Sequence, residues 1–220
     1  MLAAGCEQTA PPPTVAAPAV AGPCATLREL MDLRSRRLYD RMNALLVPDR
    51  APGVVQTLLA VDDFLAANDH LCNWVRDHIG IGLAQSIDQA YLGDDLGFYL
   101  CNSMNIFARG VELLDEAVTG DSAVVSFTVD GRTPAEEAHL KQIDGRWRYD
   151  PGRAVPEGFA DAFRDMARGL DELRSELDRG QLNVDRLRDE REELMDRVEG
   201  KLRRGVRLLS QARTQSAAGN

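Results

Sequence analysis

The chain has 220 residues, 44% hydrophobic, 28% charged and 5% aromatic, and a formal net charge of −9 from 35 acidic and 26 basic residues. The apolar fraction is too high for a wholly disordered chain and four cysteines are too few for a disulfide scaffold, while the acidic balance argues against binding nucleic acid by bulk electrostatics. No stretch approaches the roughly 20 consecutive apolar residues that a helix needs to cross a bilayer, so any membrane attachment has to come from something other than a span.

Residues 1–23, MLAAGCEQTAPPPTVAAPAVAGP, are small residues followed by an Ala/Pro tract that cannot bury a core, and they read as a linker. Within them Leu2, Ala3, Ala4, Gly5 and Cys6 resemble the lipobox of bacterial lipoproteins, although no charged n-region or apolar h-region precedes them in this sequence. The resemblance implies a diacylglycerol on the Cys6 thiol, a membrane partner held through that anchor, and a place in the bacterial cell envelope facing the periplasm or the exterior. The linker that follows could extend on the order of 50 Å at about 3.1 Å per residue.

From 25 to 46 the apolar residues fall mostly at intervals of three, four and seven, which predicts a helix stopped by Pro48 and Pro52. A second helix is predicted over 53–79, ending at Gly80 and Gly82, and a shorter pair of segments over 83–104, interrupted at 93–95. The period then changes to two, with Val125, Phe127 and Val129 on one face and Ser126 and Thr128 on the other, which is the pattern of a half-buried antiparallel strand. Asp144-Gly145 between two such runs signals a two-residue hairpin, because a type I′ turn needs positive φ at both positions. The register follows: Ile143 opposite Arg146, Gln142 opposite Trp147, Leu140 opposite Tyr149, His139 opposite Asp150.

The segment LLDEAVTGDSAVVSFTVDGRTPAEEAHLKQIDGRWRYDP, through GDSAVVSF and the closing KQIDGRWRYD, resembles the C-terminal meander of nuclear transport factor two-like (cystatin-like cone) domains. In that superfamily helices pack against the concave side of a curved sheet and can enclose a pocket, and some members are ketosteroid isomerases or dehydratases. This chain departs from the pattern in placing nearly all its helices before its strands. The expected fold class is α+β: N-terminal helices packed on a small antiparallel β-meander over 24–155, then a long C-terminal helix or coiled coil over 156–213 and a disordered tail over 214–220. Trp147, Tyr149, Leu140 and Phe127 stand either as the lining of a ligand pocket under the meander or as its core.

No catalytic constellation is written in the sequence, and neither cofactor nor metal is expected. His70 and His78 are eight apart, about 80° around a helix, and with Asp69, Cys72 and Asp77 they read as a solvated face rather than a metal site. His139 opposite Asp150 reads as a surface ion pair rather than an oriented acid/base pair. None of the four cysteines shows the CxxC spacing of a zinc knuckle; Cys72 and Cys101 could form a disulfide in an exported protein, or remain buried thiols, and Cys24 would be left over.

From Phe159 the apolar residues Phe163, Met166, Leu170, Leu173 and Leu177 alternate gaps of four and three, and Val184, Leu187, Leu194 and Val198 continue the register. A continuous helix over 157–213, about 85 Å long, is the expectation, with Gly180 as the C-cap of a competing hairpin. Residues 159–209 then offer a surface for a homo-oligomer or a protein partner. The last 20 residues carry five cations and no acid, as a helix C-terminus favours, although an anionic surface would suit them too. The function expected is that of a non-catalytic, lipid-anchored envelope protein working in binding or assembly through the long helix. The alternatives are a small-ligand binding protein and, behind it, an isomerase or dehydratase.

Overall fold

The computed structural model describes residues 21–92, 102–108, 110–152 and 154–218, and the structural statements below concern these residues. The fold is α+β. Helix α1 (Pro23–Ser35) opens on a proline, whose missing N–H is an orphan in a first turn anyway. The helix predicted over 25–46 breaks at Arg37, which holds φ 57°. There Arg37 N–H donates to Arg34 O and Leu38 N–H to Leu33 O, both at 2.8 Å, a Schellman ending with arginine at the left-handed position usually held by glycine. The chain resumes as α2 (Tyr39–Met42) and a 3-10 turn (Asn43–Leu45).

Helix α3 (Ala51–His78) matches its prediction within two residues. Helix α4 (Ile81–Leu92) and a 3-10 turn (Asn102–Phe107) follow, and the interruption expected at 93–95 lies outside the described residues.

Strands β1 (Val111–Thr119), β2 (Ser122–Val129), β3 (Glu136–Ile143) and β4 (Arg146–Asp150) form an antiparallel meander in sequence order. The β3–β4 register is the predicted one at all four pairs named above, and Asp144 and Gly145 hold φ 53° and 72° as a type I′ turn requires. A bulge between Leu113 and Glu116 bends β1. Helix α1 lies against β1, β2 and β4, and beyond β4 a bridge between Leu46 and Tyr149, with Val47 N–H donating to Tyr149 O at 3.0 Å, covers that edge.

The C-terminal region corrects the expectation of one continuous helix. Helix α5 (Phe159–Asp178) stops, α6 (Val184–Asp189) is a short connector, and α7 (Arg191–Ala218) runs back along α5. Gly180 at φ 66° is the pivot: its N–H donates to Leu177 O and Gln181 N–H to Glu176 O, both at 3.0 Å, which completes a Schellman motif. Asn183 then caps α6 by accepting from Arg186 N–H at 3.1 Å. The heptad seam is therefore closed within the chain, with Leu170, Leu173, Leu177, Leu194, Val198 and Leu202 all at most 2% exposed. Helix α7 reaches Ala218, within the stretch expected to be a disordered tail, since Thr, Gln, Ser and Ala at 214–218 contain no helix breaker.

Helix α5 packs against α3 on one side and α7 on the other, with Phe64 and Phe163 ring centroids 5.8 Å apart. One hydrophobic cluster runs from Leu27 to Ala212, so the helical arm shares its core with the region preceding it.

Candidate functional site

The side chains expected beneath the meander are all buried: Phe127 at 2%, Leu140 at 1%, Trp147 at 8% and Tyr149 at 3% exposure. They belong to the common hydrophobic cluster, and the Tyr149 ring stands edge-on to Phe107 at 5.8 Å between centroids. These residues are core. An open groove of about 740 Å³ lies elsewhere, between α3 and α5, lined by Asp63, Ala66, Ala67 and His70 on one side and by Arg164, Ala167, Arg168, Asp171 and Ser175 on the other. Its lining mixes small side chains with charges of both signs.

The predicted His139–Asp150 opposition exists in the backbone register, but the side chains part company. Asp150 accepts from Lys141 Nζ at 2.6 Å and from Gly152 N–H at 2.8 Å, while exposed His139 lies 4.0 Å from Glu137. Burial works to raise the Asp150 pKa, but the bonds from Lys141 and Gly152 outweigh it and hold the carboxyl below its ordinary value. His70 faces the groove, whereas His78 stacks on Trp74 with centroids 4.3 Å apart and contacts Trp74 O through Nδ1 at 2.9 Å. Among the described residues no three His, Cys, Asp or Glu side chains gather to hold a metal.

Cys72 is a half-buried free thiol, 3.6 Å from Asn68 Nδ2; burial, together with Asp88 and Asp69, pushes its pKa up to about 11. Its candidate disulfide partner Cys101, like Cys6 and the whole lipobox, lies outside the described residues. Cys24 is also a free thiol. Its backbone N–H donates to Glu116 Oε2 at 2.9 Å, which puts a carboxylate from β1 at the start of α1 where the helix dipole favours one. That bond from Cys24 keeps the Glu116 pKa low, and burial beside Glu116 raises the Cys24 thiol.

A polar cluster that sequence reasoning missed joins α1, α2 and α3. Asp62 accepts from Arg34 Nε at 3.0 Å, from Arg34 Nη2 at 2.5 Å and from the Tyr39 hydroxyl at 2.7 Å, and Arg34 Nη1 also donates to Phe107 O. Burial and the bond to Asp62 push Tyr39 up to about 12. The signal was available: Asp62 stands four residues after Leu58 and one after Val61, both apolar and both buried.

No protein-family model, no curated protein and no solved structure is found to match this chain. No helix among the described residues is long and apolar enough to cross a membrane.

Proposed function

We propose that the protein is a non-catalytic, lipid-anchored component of the bacterial cell envelope, held by Cys6, which binds or assembles with partners through the outer faces of its helical arm. One observation carries the non-catalytic part. Every displaced ionisation resolved among the described residues moves away from neutral pH: Cys24, Cys72 and Tyr39 upward, Glu116, Asp150 and Glu193 downward, Lys201 and Arg37 further up. Carboxyls, thiols, phenols and amines recruited for general acid/base chemistry are instead brought toward the working pH. Asp150, a buried carboxylate at the sheet, is committed to Lys141 and gives the isomerase or dehydratase reading no support. A small-ligand protein would use the α3–α5 groove, since the side chains under the meander fill the core.

The anchored part is supported by the Leu2–Cys6 resemblance and by the Ala/Pro-rich sequence that follows it. Mass spectrometry of the N-terminal peptide from membranes of the native bacterium tests it. The expected species begins at Cys6 and carries diacylglycerol, and Cys6→Ala shifts the protein to the soluble fraction. Recovery of the wild-type chain from the soluble fraction with an unmodified Cys6 would refute the anchor.

A further inference from the structure

The cations at the end of the chain are put to different uses by the fold. Lys201 bridges Glu172 at 3.2 Å and Glu176 at 2.8 Å, so its charge is consumed in holding α5 to α7. Arg204 reaches Asp165 at 3.6 Å, but the same carboxylate also faces Arg168 at 3.7 Å, so one acid stands against two guanidiniums. Arg203 pairs loosely with Glu199 at 3.4 Å, with its side chain 73% exposed, and Arg207 is exposed as well. Between them Val206, at 39%, is a large apolar side chain left facing outward while Leu202 and Leu209 enter the core.

The helix dipole does not explain this placement. Its influence falls off within the last turn, and α7 continues to Ala218, which leaves Arg203 and Arg207 about four and three turns upstream. What remains is an outward face with arginines on either side of an exposed valine, followed in sequence by Arg213, on a chain whose net charge is −9. Arginines flanking an apolar side chain fit the boundary between anionic headgroups and acyl chains.

We propose that the Arg203–Val206–Arg207 face of α7 docks on an anionic lipid surface; the choice of a membrane as its occupant rests on the reading that Cys6 anchors the chain to one. Docking would bring the folded domain down onto the bilayer and leave the α3–α5 side to other partners.

The test uses the full chain with Cys6→Ser, which carries no lipid, co-sedimented with vesicles. With phosphatidylglycerol in phosphatidylcholine the protein should pellet at low salt and be released at high salt, whereas with phosphatidylcholine alone it should stay in solution. R203Q/R207Q should weaken partition about thirtyfold, and R203K/R207K should retain it, with unchanged circular dichroism in both because the two side chains are exposed. Equal binding to the two vesicle types, binding to neither, or undiminished binding by R203Q/R207Q would overturn the proposal. Failure here would leave the anchor standing, because that is read from the mass of the Cys6 peptide.

Discussion

Asp62 gathers a guanidinium and a phenol at the joint of three helical segments, with Arg34 and Asp62 side chains only 15% and 17% exposed. Removing the carboxylate strands a largely buried Arg34, so Asp62→Asn should cost about 3 kcal/mol in urea unfolding. Asp150 predicts a pH effect. Its folded pKa lies below the ordinary carboxylate value, so its contribution to stability is complete above the unfolded pKa of about 4 and is lost as the pH falls through the lower folded value. Asp150→Asn should therefore be less stable than wild type at neutral pH, and the gap between their unfolding midpoints should narrow on acidification below about pH 4. At this scale the sequence is a partial guide. The β3–β4 pairs could be read because a two-residue turn fixes register, whereas the Glu116 cap on α1 could not, since its partners lie 92 residues apart and share no local pattern. The Arg37 ending was equally hidden, because the residue that adopts the left-handed conformation there is not a glycine.

Among the elements, α3, β2 and the β3–β4 hairpin were legible because a buried face imposes a single period on each. The C-terminal arm was legible in its seam and not in its path, since apolar residues repeating at three and four look the same whether their partner is another chain or the next helix. Gly180 was the local evidence for a fold-back, and it outweighs the continuity of the heptads because its Schellman motif satisfies the C-terminus of α5 while Asn183 caps the start of α6. The close crossing of α5 and α7 depends on two further glycines. A Cβ at Gly205 would come within 2.7 Å of Ala162 O and collide with the Met166 side chain, and one at Gly169 would come within 2.7 Å of Lys201 O. Gly205→Ala should accordingly destabilise the protein by about 1 to 3 kcal/mol in thermal or urea unfolding despite alanine's higher helix propensity, because the helices have to separate to admit it.

For the molecule as a whole, closing the seam in cis changes what the arm can do. A continuous coiled coil would leave its apolar stripe for another copy, whereas the hairpin buries that stripe against α5 and presents the α3–α5 groove and the basic face of α7 instead. On the proposed reading, binding falls to polar and charged outer faces, as a chain tethered through Cys6 and settling on a surface would require. Sedimentation equilibrium of the full chain carrying Cys6→Ser, under reducing conditions, addresses this most directly. A single species near 24.2 kDa that does not change with concentration is the predicted result. A mass that rises toward twice that value with concentration would contradict the account.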